Sequence, residues 1–200
     1  MRLRINRELA LLLTIAVASI ARSAAQSPVQ PASVKPRAEL ALDYSYLRSN
    51  APQGSCGCFN MNGGNATFAW PLGSGEFALA GDVTIAHAGT VSTSGNNLTL
   101  STFTAGVRYL PMKSRSFQPF GQVLAGLAHS SGTLVQGANP GAANAGAAFA
   151  GNFGGGLDLR LNPRFSIRLA EADYLLTTFD NGTNNHQNNL RISAGVVIHF

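Results

Sequence analysis

The chain has 200 residues, of which 45% are hydrophobic and only 12% are charged. Its net charge of +5 falls to +2 once the first 25 residues, with four arginines and Glu8, are set aside. That balance gives no support to a nucleic-acid partner. After residue 25 no apolar stretch approaches the roughly 20 residues of a membrane helix, so a membrane protein of this sequence has to cross with strands.

The first 25 residues have the layout of an export signal. Several arginines precede an apolar run over residues 9–20, and small residues surround Ala25. We predict a signal peptide over residues 1–25 with cleavage after Ala25, the alternative being an uncleaved anchor. Residues 26–36 are rich in Pro, Ser and Gln, which predicts a flexible periplasmic leader.

Apolar residues alternate with small or polar ones in most of the remaining chain, a pattern that predicts β-strands. We place eight strands at about residues 37–47, 65–72, 76–88, 98–109, 117–130, 149–161, 164–176 and 190–200. The last strand has the clearest pattern, with one apolar row formed by Leu190, Ile192, Ala194, Val196, Ile198 and Phe200. Such a strand would invite aggregation if its edge were free, and it suits the closing strand of a transmembrane barrel.

Two strands do not follow the simple alternation. The fifth is apolar on both faces, and we favour Val123 outward because Gln122 then points inward. In the seventh, strict alternation places Glu171 and Asp173 against lipid, which is costly. Either a β-bulge near Glu171 or an exit of the strand from the bilayer would remove that conflict.

The connections alternate in length along the chain. Long ones cover residues 48–64, 89–97, 131–148 and 177–189, whereas short turns cover 73–75, 111–116 and 162–163. Outer-membrane barrels have long external loops and short periplasmic turns. The predicted fold over residues 37–200 is therefore all-β, an eight-stranded antiparallel up-and-down transmembrane β-barrel in a bacterial-type outer membrane. The alternative is a soluble secreted β-sandwich with charge on its wet faces.

The strand pattern, including Phe-Thr-Ala-Gly-Val-Arg-Tyr at residues 103–109, resembles the eight-stranded outer-membrane β-barrel superfamily. This superfamily includes the membrane domain of outer-membrane protein A and its porin-like relatives. The resemblance implies outer-membrane lipids and the barrel-assembly machinery as partners. It also implies that the final strand carries the assembly signal, at Ala194, Val196, Ile198 and Phe200. No peptidoglycan-binding domain follows in the sequence, so a cell-wall tether is not implied.

Charged side chains lie on the rows that we predict to face the lumen. They are Glu39, Asp43, Asp82, Arg108, Asp158, Arg160, Arg168 and Arg191. An eight-stranded barrel is just wide enough for side chains to fill it. We therefore predict a lumen closed by an ion-pair network, with a proton or small-ion path through the same groups as the alternative.

Two cysteines, Cys56 and Cys58, lie in the first predicted external loop. In an oxidising compartment we favour a disulfide between them, although its ring would be tight; free thiols or a metal site are the alternatives. His87, His129 and His186 could reach the same rim, but a zinc site needs about four ligands. We expect neither a metal nor a cofactor.

The sequence favours a non-enzymatic barrel with a structural or surface-interaction role. A narrow channel and an outer-leaflet lipid-modifying enzyme are the alternatives. His129 and Ser131 have the His-x-Ser spacing of lipid A deacylases, yet Asp158, the next carboxylate, is on another strand and is predicted to face inward. A serine–histidine pair needs an orienting partner. The composition of the loops does not indicate a ligand.

Overall fold

The computed structural model describes residues 37–50, 58–91, 97–112, 115–132, 147–179 and 186–200. Within these ranges the chain forms eight strands: β1 (Glu39–Asn50), β2 (Cys58–Leu72), β3 (Phe77–Ala88), β4 (Leu98–Tyr109), β5 (Phe117–Ser131), β6 (Ala147–Arg160), β7 (Phe165–Thr177) and β8 (Gln187–His199). No helix in the described ranges could cross a membrane. The predicted signal peptide and leader lie outside the described residues and stay predictions.

The strands close into one antiparallel barrel in sequence order. The closing pair joins β1 to β8, in a register that runs from Glu39 opposite His199 to Ser49 opposite Asn189. Closure satisfies the backbone groups that a free edge would expose. The predicted fold is confirmed. The start of β1, the end of β8 and the three short turns lie at one end of the barrel, the turn end, and the opposite ends of the strands form the loop end.

The apolar rows face outward, as predicted. In β5 Val123 is 57% exposed whereas its neighbour Leu124 is 1% exposed, which confirms the favoured register of this strand. Large apolar side chains are exposed on all eight strands. They include Leu42, Leu79, Phe103, Leu127, Phe153, Ile167 and Ile192.

A β-bulge in β7 turns Glu171 and Asp173 into the interior. The register between β7 and β8 shifts between Arg168 and Glu171. Leu169 and Ala170 are consecutive and both exposed, so the residues after them change face. Glu171 is consequently 0% exposed. The bulge interpretation is confirmed, and the alternative exit from the bilayer is not needed.

The strands at the loop end are longer than the sequence pattern indicated. Residues 48–50 and 58–64, predicted as loop, continue β1 and β2. Asn and Gly residues at the outward positions hid an inward row in which Phe59 and Met61 are buried. The prediction of a loop at these residues was wrong because we gave their Asn- and Gly-rich composition more weight than the apolar residues at alternate, inward positions.

The interior has three layers along the barrel axis. An apolar cluster fills the loop end and includes Leu47, Phe59, Met61, Leu98, Leu100 and Leu175. A second apolar cluster lies towards the turn end and comprises Ala69, Ala78, Ala80, Leu110, Phe120 and Leu124. Charged and polar side chains occupy the layer between them. The β3 sequence shows the order directly, since Ala78 and Ala80 precede Asp82 and Thr84, and Ala86 and Ala88 follow.

Gly154 keeps room for the charged layer. A Cβ at this position would overlap Asp173 Oδ1 and the Ala172 carbonyl. We expect Gly154→Ala to destabilise the barrel by about 1–3 kcal/mol, the usual cost of overpacking. Gly81→Ala is the matched control, since its nearest atom would be Thr104 O at 4.0 Å. Urea unfolding of the two variants in lipid vesicles measures the difference, and equal midpoints would show that Gly154 has no such role.

Candidate functional site: the charged interior layer

Arg168 binds three carboxylates from three strands. Its Nε and Nη2 donate to the two oxygens of Asp158 at 2.9 and 3.2 Å. Its Nη1 donates to Asp43 Oδ2 at 3.0 Å and to Glu171 Oε2 at 2.6 Å. The guanidinium is fully buried, so its charge is neutralised by these partners and not by water. It holds β6, β7 and β1 together from inside.

Arg191 forms the second centre, on β8. Its Nε and Nη2 donate to Asp173 Oδ2 at 3.0 and 2.5 Å. Nη2 also donates to Glu171 Oε1 at 3.1 Å, and Nη1 to Asp82 Oδ1 at 2.8 Å. Thr84 Oγ1 accepts a further bond from Nη1. Asp82 lies 109 positions away in sequence, so this arginine spans the interior from β8 to β3.

Glu171 and Gln122 join the two centres. Glu171 pairs with Arg168 through Oε2 and with Arg191 through Oε1. Gln122 Nε2 donates to Glu171 Oε1 at 2.8 Å and to Asp173 Oδ1 at 3.3 Å, while its Oε1 accepts from Arg108 Nη2 at 2.7 Å. The amide therefore links a guanidinium to two carboxylates, and the layer is one connected network.

Neutral side chains donate to the carboxylates on the β1–β3 side. Asn65 Nδ2 lies 3.3 Å from Asp43 Oδ2 and 3.2 Å from Asp82 Oδ2. Thr67 and Thr84 donate their hydroxyls to Asp82 at 2.8 Å each. Buried carboxylates require such donors, and these residues lie at the inward positions of β2 and β3.

Two guanidiniums enclose the ring of Phe120, next to the charged layer. The Cζ atoms of Arg108 and Arg168 lie 4.2 and 4.6 Å from the ring centroid. Cations are attracted to an aromatic face, and more strongly in a site without water. Phe120 is also a member of the second apolar cluster, so it brings that cluster into contact with the charged layer.

The structure separates the eight predicted lumen residues into two groups. Five of them take part in the ion-pair network just described: Asp43, Asp82, Asp158, Arg168 and Arg191. Arg108 is buried but bonds Gln122, and Glu39 faces His199 Nδ1 at 3.6 Å near the turn end. Arg160 is half-buried at the end of β6, and no ion pair within 4.0 Å includes it among the described residues.

The sequence analysis missed Glu171, Asp173, Gln122 and Asn65 as members of the network. The two carboxylates were left out because a β-bulge and an exit from the bilayer were both open, and only the bulge turns them inward. Gln122 and Asn65 sit on inward positions, and a count of polar residues on those rows would have found them. In the layer as described, five carboxylates meet three guanidiniums, with one apolar cluster on the loop-end side and a second against part of the turn-end side. This arrangement suits a rigid, closed interior.

The other candidate residues do not assemble. His129 faces outward near the loop end, whereas Asp158 is buried and bound to Arg168, so the two cannot act together.

His87 Nδ1 lies 2.9 Å from Thr99 Oγ1. Among the residues that the structure covers, no group of three or more acidic, His or Cys side chains could hold a metal ion. Cys58 is exposed and forms no disulfide with another described residue; Cys56 lies outside the described residues, and the disulfide between the two stays a prediction.

The sequence matches no protein-family model and no curated protein. Among solved structures, neisserial surface protein A (NspA) matches with a TM-score of 0.60 and 15% identity, over 82% of this chain and 97% of that one. The attachment invasion locus protein Ail of Yersinia pestis matches with a TM-score of 0.52 and 15% identity, over 82% and 99%. This is the fold of the eight-stranded outer-membrane β-barrels. At this level of identity the likeness concerns the fold.

A further structure of Ail, in complex with the heparin analogue sucrose octasulfate, matches with a TM-score of 0.50 and 16% identity, over 82% and 99% of the two chains. The eight-stranded outer-membrane barrel thus accounts for almost the whole length of each of these neighbours. This chain shares the closed barrel with these neighbours. The charged interior layer is described from the side chains of this chain alone.

Proposed function

We propose that this chain is a non-enzymatic protein of a bacterial outer membrane, with a structural or surface-interaction role and a closed lumen. The observation that carries the proposal is the inverted distribution of its side chains. Arg168, Glu171 and Arg191 are at most 1% exposed, whereas Leu79, Phe103 and Val123 are more than half exposed. Water would favour the opposite arrangement, and acyl chains favour this one.

Two tyrosines lie on the outer face towards the loop end. Tyr44 donates its hydroxyl to Asn62 Oδ1 at 2.6 Å, and Tyr174 donates to Asn188 Oδ1 at 2.5 Å. Both rings are exposed on the outer face. Aromatic residues with one apolar and one polar end collect at membrane interfaces. These pairs support a bilayer boundary at this height.

The surface-interaction role is assigned to the loop end. Two neighbours with this fold carry the names surface protein and attachment invasion locus protein, which supports a role at the cell surface for this chain too. Export by residues 1–25 and assembly through the final strand ending at Phe200 belong to the same proposal. Outer-membrane lipids and the assembly machinery are its partners.

The closed lumen predicts an absence of conductance. The arginines of the charged layer are buried and held in ion pairs, and an apolar cluster fills the loop end, so an ion would have to displace buried ion pairs and cross dry protein. In planar bilayers the refolded barrel is expected to give no steady unitary currents. Insertion is checked in the same sample by the heat-modifiable gel shift of a folded barrel. Reproducible unitary currents from inserted protein would reject the closed-lumen proposal and favour the narrow channel.

A further inference from the structure

The exposed positive charge of the barrel is concentrated at the turn end. Arg37, Arg115 and Arg164 are exposed there, and Arg160 is half-buried. At the loop end, Arg48 is exposed and donates to Asn60 Oδ1 at 3.4 Å. The two ends of the molecule therefore present different charge to the two leaflets of a membrane.

The four turn-end arginines lie along one arc of the rim, which we call the arginine arc. Arg37 Nη1 donates to the Pro163 carbonyl at 3.1 Å, which places it beside the β6–β7 turn and Arg164. The backbone N–H of Arg160 donates to Ser116 O at 2.8 Å, next to Arg115. The arc thus runs from the β4–β5 turn across the β6–β7 turn to the start of β1.

Within the described ranges, no carboxylate lies within 4.0 Å of the side-chain nitrogens of the arc. On the side of the rim that carries the arc, the nearest acidic side chains are engaged inside, since Asp158 binds Arg168 and Glu39 faces His199. Glu76, at the other turn, lies between β2 and β3. Arg37, Arg115 and Arg164 therefore keep their positive charge towards solvent, whereas Arg160 lies on the inward row of β6 and is half-buried.

An apolar belt lies directly beside the arc. Phe117, Leu161 and Phe165 are exposed to 55%, 57% and 44%, and each is close in sequence to an arginine of the arc. This combination of outward aromatic and aliphatic side chains with guanidiniums at the adjoining rim matches the boundary between acyl chains and headgroups.

We propose that the arginine arc binds the headgroups of anionic phospholipids in the leaflet at the turn end. The proposal rests on the membrane location argued under Proposed function. Guanidinium groups bind phosphate through paired hydrogen bonds, and basic residues at a membrane surface attract anionic lipids. Anionic lipid should therefore be enriched next to the arc and not around the rest of the rim.

A matched pair of tryptophan probes tests this enrichment. The chain has one tryptophan, so Trp70→Phe removes the background. Phe165→Trp then places a probe beside Arg164, and Phe77→Trp places one beside Glu76. Both positions are the first residue of a strand after a short turn, and both phenylalanines are about half exposed. The refolded barrel is placed in phosphatidylcholine vesicles containing 20 mol% phosphatidylglycerol, with either lipid brominated.

At the Phe165→Trp probe we expect brominated phosphatidylglycerol to quench the tryptophan fluorescence more strongly than brominated phosphatidylcholine. The ratio should correspond to a local enrichment of phosphatidylglycerol of about three- to tenfold. At the Phe77→Trp probe the ratio should be close to one. Arg115→Gln, Arg160→Gln and Arg164→Gln together should abolish the enrichment, whereas Arg48→Gln at the loop end should leave it. Enrichment should also fall in about 0.5 M salt.

Equal ratios at the two probes, or enrichment that survives the triple substitution, would overturn the proposal. If the arc instead binds an acidic protein, phosphatidylglycerol would show no preference for the arc. That result would also overturn the proposal. Absence of quenching by either lipid at both probes would mean that the barrel is not in the bilayer, and the proposed function would fail with it. Heat-modifiable gel shifts confirm that each variant is folded.

Discussion

Replacing Arg168 with Met is expected to lower the free energy of unfolding by about 3–5 kcal/mol, the range measured when one partner of a buried pair is removed. Arg168 neutralises Asp43, Asp158 and Glu171 in a layer that water does not reach. Without it, five carboxylates would meet two guanidiniums among the described residues of the layer. Urea titration of the refolded barrel in lipid vesicles, followed by the gel shift, measures the loss.

Arg164→Met is the matched control for this prediction. Arg164 precedes β7 by one residue and is exposed, so its loss should change stability by less than about 0.5 kcal/mol. Arg168→Lys should fall between the two, because an ammonium cannot reproduce the fork that binds both Asp158 oxygens. If Arg168→Met and Arg164→Met unfold at the same urea concentration, the charged layer does not stabilise the barrel.

Placing an arginine at Val123 is expected to destabilise the inserted barrel by about 2–4 kcal/mol, the cost of this residue at the bilayer midplane. Val123 lies halfway along the outward row of β5, with exposed apolar neighbours Ala125 and Leu127 on the same face. In water, an exposed Val→Arg change would cost little. The size of the effect therefore reports the surrounding solvent. Unfolding in vesicles measures it.

His129→Arg provides the depth control on the same strand and face. His129 is exposed six residues further towards the loop end, where an arginine should cost about 0–1 kcal/mol. A soluble β-sandwich would show small and equal effects at Val123 and His129. That result would contradict the proposed membrane location even if the fold were unchanged.

The fold was predictable because period-two alternation and connection length are local properties of the sequence. The inward positions of Asp82 and Arg191 follow from alternation alone. Their contact does not, because β3 and β8 are not neighbours in the barrel. The contact depends on the stagger of the strands and on how far the arginine side chain extends across the interior. Neither can be inferred from the residue type at one position.

The remaining errors have physical causes at identifiable residues. Glu171 was not included among the interior charges because a β-bulge and an exit of the strand from the bilayer were both open, and only the bulge turns Glu171 inward. Arg160 lies on the same inward row as Asp158, but at the end of β6, where it is half-buried and outside the ion-pair network. The loop-end apolar cluster was missed because Phe59 and Met61 alternate with Asn residues that are also typical of loops. Each error concerns the end of a strand or a change in its register.

The most direct test compares two adjacent residues of β5, Val123 and Leu124. In lipid nanodiscs with labelled methyl groups, nuclear Overhauser effects report which protons lie within about 5 Å of each methyl. We predict contacts between the Val123 methyls and acyl-chain protons, and contacts between the Leu124 methyls and interior protein protons such as those of Phe120. If Leu124 instead contacts acyl chains and Val123 is enclosed by protein, the claim that the apolar rows face lipid and the charged layer lies inside would be contradicted.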